Sequence, residues 1–370
     1  MKDGKLQIGI IGCGGIAGTK HLPGLKANND KCDIIAFCDI IEERAVKAAR
    51  EYGTKEAAVY TDYKELLANR EVDVVHVLTP NVSHCPITVD AFAAGKHVMC
   101  EKPMAATSVD ADKMLKAWRA SGKHFTIGYQ NRFRPEVQML FNACKNDELG
   151  EIYYGEARAI RRRGVPTWGV FPDKALQGGG PLIDIGTHAL DLTLWMMDNY
   201  KPVSVTGSVF YKLGGLKQAT EGNIFGPWDP DTYEVEDSAF GFVKMENGAT
   251  ISVQAAWAIN LMESREASTT LCGTKAGAEI HSGLSHPKDK LFINRGHNGL
   301  LTDEQLSPMG NVAYFGANAK EPGVAEASQW LTAILENGEP LVKPEQAFVV
   351  TQILEAIYQS SETGKEVYLS

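Results

Sequence analysis

A glycine-rich turn between a strand and a helix, close to the start of the chain, restricts the fold more than any other feature. An apolar run, residues 6–11 (LQIGII), leads into residues 12–17 (GCGGIA). The segment fits the pattern G-x-G-x-x-G/A: Gly12 permits a tight turn, Gly14 lets a pyrophosphate approach the backbone, and Ala17 lets the helix pack on the sheet. An anion would then lie at the helix N-terminus. The turn therefore predicts a Rossmann dinucleotide-binding fold, although a glycine-rich turn without a ligand would show the same pattern.

The order of strand and helix patterns predicts two kinds of domain. Up to about residue 130 the two alternate, which is typical of a parallel α/β sheet, with strands at 33–38, 72–78, 97–100 and 125–129. After residue 150 strands follow strands, at 152–163, 203–212, 238–245, 249–258, 267–271 and 278–281. A helix is predicted at 181–197, a long loop at 213–234, and a hairpin turn at Asn247-Gly248.

We therefore predict a Rossmann domain of residues 1–130 and an α+β domain of residues 131–370 with a large, mostly antiparallel open sheet. A chain of 370 residues is too long for one ordinary core, which agrees with two domains. A helix predicted at 344–361 could pack back on the first domain.

Composition excludes several classes of partner. The net charge is -9, so the chain lacks the excess of Lys and Arg that nucleic-acid binding needs. No window approaches the ~20 apolar residues that span a bilayer, so no membrane association is expected. The seven cysteines are scattered without a C-x-x-C pair, which indicates a reduced, cytoplasmic protein.

An acidic residue after the second predicted strand indicates the cofactor. Asp39 can accept hydrogen bonds from ribose hydroxyls and would repel a 2′-phosphate, so we predict NAD rather than NADP. A helix N-cap role near Glu42 stays open and does not exclude this one. Because ligands bind at the carboxyl ends of parallel strands, other strand ends should contribute. The predicted cofactor contacts are Gly12, Gly14, Gly15, Ile16, Asp39, Thr79, Pro80, Asn81, His84, Glu101, Lys102 and Gln130.

Polar residues recur at helical spacing within the helix predicted at 181–197. Asp184 and His188 are four residues apart and Asp191 lies seven after Asp184, so all three should share one helix face. Their neighbours are apolar, and buried polar groups must be satisfied or used. A structural Asp–His pair or a solvated stripe stays open. A metal site also stays open, but no second His/Cys cluster supports it and we expect none.

On these motifs the chain resembles the glucose–fructose oxidoreductase / inositol dehydrogenase (Gfo/Idh/MocA) family. The likeness covers nearly the full length: the glycine turn, residues 101–103 (EKP), 128–134, 178–191, and the strand pair around 237–248. The resemblance implies a Rossmann domain followed by an α+β domain whose sheet often forms an oligomer interface. It also implies that Lys102 is the catalytic lysine, Asp184 a substrate-contacting aspartate and His188 the catalytic histidine.

The chemistry of these side chains suits alcohol oxidation. A base must take the hydroxyl proton while a hydride moves to nicotinamide, and an imidazole such as that of His188 titrates near neutral pH. Lys102 can stabilise charge on the substrate oxygen, and Asp184 can orient His188 or hold a sugar hydroxyl. Trp168 could stack on a substrate ring. The predicted substrate contacts are Lys102, Asn131, Arg132, Arg163, Trp168, Asp184 and His188.

We therefore expect an NAD-dependent oxidoreductase acting on a secondary alcohol of a sugar, polyol or similar compound. One alternative is an NAD-dependent enzyme that cleaves glycosides by transient oxidation and elimination. Another is a non-catalytic NAD-binding sensor, which would not need the set of Lys102, Asp184 and His188. A homodimer or homotetramer formed through the sheet of the second domain is also expected.

Overall fold

The computed structural model describes residues 1–283, 286–306 and 321–369. Contacts divide the chain into a first unit, Met1–Phe133 with Lys320–Phe348, and a second unit, Arg134–Ala319 with Val349–Ser370. This division differs from the uninterrupted second domain, 131–370, that was expected from the sequence. The physical reason is a late helix, Pro322–Leu335, which places Trp330 and Leu331 in the same core cluster as Ile8 and Ile10 of the first strand.

The first unit contains a parallel sheet in the Rossmann order, which confirms the predicted fold. Its strands in the described residues are β1 (Leu6–Ile11), β2 (Cys32–Cys38), β3 (Ala58–Tyr60), β4 (Val74–Val77), β5 (His97–Cys100) and β6 (Phe125–Ile127). They lie in the order β3-β2-β1-β4-β5-β6, and every pair is parallel. All six residues of β1 are buried, as expected for a central strand with both faces covered. Strand β3 was missed because three residues carry too little pattern.

Helices of the first unit connect these strands. They are α1 (Leu22–Lys26), α2 (Glu42–Tyr52), α3 (Tyr63–Ala68), α4 (His84–Ala93) and α5 (Ser108–Ser121). A π-helical turn, Ala17–His21, precedes α1, so the chain becomes helical directly after the glycine turn.

The second unit contains a large, mostly antiparallel sheet, as predicted. Its strands in the described residues are β7 (Ile152–Ile160), β8 (Pro202–Phe210), β9 (Ser238–Met245), β10 (Thr250–Ala256), β11 (Arg265–Gly273), β12 (Ala276–Gly283), β13 (His286–His297), β14 (Leu300–Leu306) and β15 (Val367–Tyr368). Their order is β14-β13-β12-β11-β7-β10-β9-β8-β15, and only β7 and β10 pair in parallel. The hairpin predicted at Asn247-Gly248 is confirmed between β9 and β10, where Gly248 has φ +87°.

The helices after β6 are α6 (Pro135–Lys145), α7 (Lys174–Gln177), α8 (Thr187–Met197), α9 (Pro322–Leu335) and α10 (Pro344–Thr363), and α9 belongs to the first unit. On the second unit's sheet, α8 contacts β7 and β11, and α6 contacts β12 and β13. Residues of α10 from Val349 onward belong to the second unit, and Ile357 packs on that unit's sheet. A Cβ at Gly207 or Gly241 would come within 2.7 or 2.5 Å of the Ile357 side chain, so these glycines make room for the helix. No helix in the described residues is long and apolar enough to cross a membrane.

Candidate functional site

The glycine turn after β1 is closed on the sheet side and open on the other. Gly12 has φ +95°, and a Cβ there would lie 2.5 Å from the carbonyl oxygen of Leu78, so only glycine fits. Its N–H donates to the Cys38 carbonyl at 2.8 Å, which joins the turn to β2. A Cβ on Gly14 or Gly15 would meet nothing within 4 Å. The turn therefore has the shape that a pyrophosphate needs, with an anchored backbone and open space beside it.

Asp39 is held at the end of β2 by two backbone amides. Its carboxylate accepts from the N–H of Cys13 at 2.8 Å and from that of Ile41 at 2.9 Å. Asp39 is not the N-cap of α2, because Ile41 occupies that position. Each carboxylate oxygen keeps a lone pair for a ribose hydroxyl. The acid that is predicted to select NAD is thus hydrogen-bonded directly to the glycine turn.

His84 connects two of the predicted cofactor-binding turns. Its Nδ1 lies 2.8 Å from the carbonyl oxygen of Pro103 and its Nε2 lies 2.9 Å from that of Thr79. The side chain is buried, and burial lowers the pKa of His84. His84 therefore holds the two turns together, and its contact with the cofactor stays a prediction. The Thr79 hydroxyl is buried and has no hydrogen-bond partner among the described residues, which leaves it available to a cofactor.

A buried ion cluster, which the sequence did not predict, lies beneath the 101–103 turn. Lys20 Nζ is 2.6 Å from Glu101 Oε1, 2.9 Å from Glu326 Oε2 and 3.2 Å from Gln130 Oε1. Burial raises the pKa of Glu326 to about 7, against the opposing effect of Lys20. Gln130 thus contacts Lys20.

Two histidines extend the same cluster. His21 Nε2 donates to Glu101 Oε1 at 2.8 Å, and His21 Nδ1 lies 3.1 Å from His76 Nδ1. Burial, with the charge of Lys20, lowers the pKa of His21 to about 4. Burial works against the charged form of Glu101, but Lys20 and His21 outweigh it and hold the pKa of that carboxyl well below its usual range. Because Glu101 Oε2 accepts from the Lys102 N–H at 3.0 Å, the cluster fixes the backbone at the predicted catalytic lysine.

The segment that carries Asp184 and His188 begins with a π-helical turn, Leu182–Gly186, and continues as the α-helix α8. Single π-helical turns are frequent at functional sites. Asp184 accepts from Trp257 Nε1 at 3.2 Å. Asp184 and His188 are partly exposed, whereas Asp191 is buried. Asp191 therefore lies in the core, whereas Asp184 and His188 keep accessible surface.

Glu236 holds the start of this segment and was also missed. Its carboxylate accepts from the N–H of Gly180 at 2.8 Å, from that of Leu182 at 3.1 Å and from the Tyr358 hydroxyl at 2.8 Å. An anion at a helix start compensates the N–H groups that have no partner within the helix. The local sequence gives no signal, because Glu236 is more than 50 residues away from the helix it stabilises.

The remaining predicted substrate residues have different surroundings. Arg132 is fully buried and donates to Gln346 Oε1 at 2.7 Å, so its prediction as a substrate contact is corrected to a structural role. Arg163 donates to the Ile259 carbonyl and to Asn260 Oδ1, at 3.2 and 2.8 Å. The other predicted residues keep accessible surface: Asn131 is partly exposed and Trp168 is 50% exposed.

Comparison with known proteins gives two family profiles that match successive parts of the chain. The profile described as "Oxidoreductase family, NAD-binding Rossmann fold" matches residues 6–129, and that described as "Oxidoreductase family, C-terminal alpha/beta domain" matches residues 142–369. D-glucoside 3-dehydrogenase of Escherichia coli (strain K12) is 35% identical over 369 residues, covering 100% of this chain and 99% of that protein.

Solved structures give the same result for the fold. The aldose-aldose oxidoreductase from Caulobacter crescentus, complexed with glycerol, is 25% identical with a TM-score of 0.80, covering 99% of this chain and 100% of that one. A levoglucosan dehydrogenase in complex with NADH and levoglucosan has a TM-score of 0.82 at 20% identity, covering 98% of this chain and 99% of that one. The second likeness concerns the fold alone.

Proposed function

The chain belongs to the oxidoreductase family with an NAD-binding Rossmann fold and the matching C-terminal domain. We propose that it oxidises a secondary alcohol of a sugar, and that its first class of substrate is D-glucosides, which it oxidises at carbon 3. The observation that carries this proposal is the full-length likeness to the E. coli D-glucoside 3-dehydrogenase. That likeness includes the second unit, where substrate residues are expected. The residues of the site agree with this chemistry.

NAD is the cofactor, and the first unit supplies its contacts. The turn formed by Gly12, Gly14, Gly15 and Ile16 fits the pyrophosphate, and Asp39 fits the adenosine ribose. When bound, NAD accepts a hydride from the carbon that is oxidised. An Asp39→Ala variant should bind NAD more weakly with little change for NADP. An unchanged preference for NAD would contradict the ribose assignment.

Three side chains are proposed to handle the proton and the substrate oxygen. His188 takes the hydroxyl proton, since a neutral imidazole is a base near neutral pH. Lys102, on the turn held by Glu101, donates to the substrate oxygen and stabilises charge there. Asp184, whose Oδ2 accepts a hydrogen bond from Trp257 Nε1, accepts a second hydrogen bond from a sugar hydroxyl group. Each assignment follows the resemblance and the local geometry of its own unit.

The proposal is tested by incubating the protein with NAD and a panel of glucosides, free sugars and inositols while NADH absorbance is followed. Stoichiometric NADH supports the oxidoreductase. Glycoside cleavage without net NADH would support the elimination alternative instead, and NAD binding without either reaction would leave a sensor. His188→Ala should lower turnover by about 10²–10⁴-fold while NAD binding is retained. His297→Ala, an exposed histidine on β13, is the matched control and should keep wild-type turnover.

An oligomer is proposed through the accessible face of the second unit's sheet. One cross-strand row runs through Thr206, Phe242, Ser252, Glu156, Thr270 and Glu279. Every member of this row is exposed or partly exposed, and the row includes Phe242, a large apolar side chain that is 44% exposed and that an interface would cover. Phe242→Glu should shift the mass measured by light scattering towards the monomer. A cytoplasmic location is also proposed, since all seven cysteines are free thiols.

A further inference from the structure

A cavity bordered by aromatic rings lies in the second unit, beside Trp168. It has a volume of about 380 Å³, which falls in the range of small-molecule sites. Two segments form it, the turn around Trp168 and the irregular loop around Trp228, and both tryptophans line it. Trp168 is 50% exposed, whereas Trp228 is buried and donates from Nε1 to the Gly214 carbonyl at 2.7 Å. The indole ring of Trp168 is therefore accessible to a ligand, whereas that of Trp228 is held in place.

A series of ring contacts connects this cavity to Asp184. Trp257 donates to Asp184 Oδ2, and its ring centroid lies 6.1 Å from that of Phe171. Phe171 in turn lies 6.0 Å from Trp168, whose other neighbour, Phe225, is 4.7 Å away at 88°. Edge-to-face contacts of this kind hold rings in defined orientations. The cavity is thus two ring contacts away from the aspartate proposed to hold a sugar hydroxyl.

Hydrogen bonds between the two segments hold the cavity in shape. Asn223 accepts from the Val165 N–H at 2.9 Å and donates to the Val165 carbonyl at 3.0 Å. Thr167 donates to the Phe225 carbonyl at 2.7 Å. A site that is formed before binding loses less free energy to ordering when a ligand enters.

The charge of the cavity limits what it can accept. Its twelve lining residues, all within the described chain, include Asp173, Asp229 and Glu234 but no lysine or arginine. Arginines nearby in sequence have other partners, because Arg161 forms two hydrogen bonds to Glu266 at 2.5 and 3.0 Å and stacks near the Phe225 ring. Carboxylates accept hydrogen bonds from hydroxyl groups and repel anions. The lining therefore suits a neutral, hydroxylated ring and excludes a phosphate or carboxylate.

We propose that this cavity, the Trp168 cavity, is a second subsite that binds the neutral aglycone ring of a glycoside, with the apolar face of a sugar stacked on Trp168. The proposal rests on the proposed oxidation of glycosides and extends it, because it makes disaccharides better substrates than simple methyl glucosides. It also predicts that sugars carrying a nucleoside diphosphate or a uronic acid as the aglycone, at the anomeric carbon, are rejected.

The first test measures kcat/KM with NAD for methyl α- and β-D-glucoside, maltose and cellobiose. The kcat/KM of at least one disaccharide should exceed that of the matching methyl glucoside by about tenfold or more. Trp168→Ala should reduce this ratio of the two kcat/KM values by about tenfold. Trp168→Phe, which keeps an aromatic face, should retain most of the preference. A wild-type ratio near one for both disaccharides, or a ratio unchanged in Trp168→Ala, would overturn the subsite while the oxidation of methyl glucosides still supported the proposed function. No NADH from any of the four sugars would overturn both.

The second test addresses charge by comparing cellobiose with β-D-glucopyranosyl-(1→4)-D-glucuronic acid, whose reducing-end ring, the aglycone, carries a carboxylate. The wild-type enzyme should prefer cellobiose by about tenfold or more, and an Asp229→Asn/Glu234→Gln variant should reduce this discrimination. Asp112→Asn, which removes a partly exposed carboxylate on α5, is the matched control and should leave it unchanged. Equal use of both sugars by the wild type would contradict the assignment to a neutral ring.

Discussion

Replacing Lys20 by methionine should destabilise the first unit, and by an amount that depends on pH. The side chains of Lys20, Glu101 and Glu326 are 8%, 6% and 4% exposed, and the lysine lies 2.6 and 2.9 Å from the two carboxylates. Methionine fills a similar volume but leaves both carboxylates without their cation. Breaking a buried pair by removing one partner costs about 3–5 kcal/mol, so we expect a loss of that size near pH 8.5.

The loss should shrink in acid because the carboxylates can then take up protons. Burial raises the pKa of Glu326 to about 7 even with Lys20 present, and without Lys20 that pKa should rise further. An acid with a raised pKa binds more protons in the folded than in the unfolded state, so the variant's stability falls as pH rises through this window. The unfolding free energy lost by the variant should be smaller at pH 5.5 than at pH 8.5 by about 1–3 kcal/mol.

Urea unfolding of the wild type and the variant at the two pH values measures this difference, with Lys96→Met as the matched control. Lys96 is also buried, but its Nζ donates at 2.8 Å to the carbonyls of Asn69 and Val72 and not to an acid. Its replacement should cost stability by a similar amount at both pH values. The same loss at pH 5.5 and 8.5 for Lys20→Met would refute the reasoning that unpaired carboxylates cause the instability.

Three further substitutions test other parts of the account. Glu326→Gln removes a carboxyl whose pKa is raised from 4.5 to about 7. The variant should therefore gain stability relative to the wild type as pH rises from about 5 to 7.5, by up to ~3 kcal/mol. A difference in unfolding free energy that does not change with pH in urea titrations would contradict the pKa shift. Gly12→Ala introduces strain of about 1–3 kcal/mol at φ +95° together with a close carbonyl contact, and should raise the Kd for NAD by about tenfold or more in calorimetry. Glu236→Ala leaves the N–H groups of Gly180 and Leu182 without their acceptor, so thermal unfolding should show a loss of about 2 kcal/mol or more; wild-type stability would exclude its role at the helix start.

The parts of the fold that depend on local pattern were predicted from the sequence. The strand order follows from alternating strands and helices, and the hairpin at Asn247-Gly248 follows from turn chemistry. The polar strands β13 and β14, a pair in the described part of the second sheet, were missed because residues such as Lys290, Asp303 and Glu304 hide the alternation that a half-buried strand would show.

The site was predicted where a residue's role follows from its own motif. Gly12 and Asp39 lie as the Rossmann pattern requires. Lys20 and Glu236 were missed because their partners, Glu326 and the amide groups near residue 180, are remote in sequence, and only the folded chain brings them together. Arg132 was misassigned for the same reason, since the segment that buries it lies more than 200 residues away.

The central claim, that this chain transfers a hydride from a sugar carbon to NAD, is tested most directly with methyl D-glucoside deuterated at carbon 3. Mass spectrometry of the products should show one deuterated NADH for each glucoside oxidised, at a rate below that of the unlabelled sugar. Deuterium that appears in water or stays in a cleaved sugar, with no deuterated NADH formed, would contradict the claim.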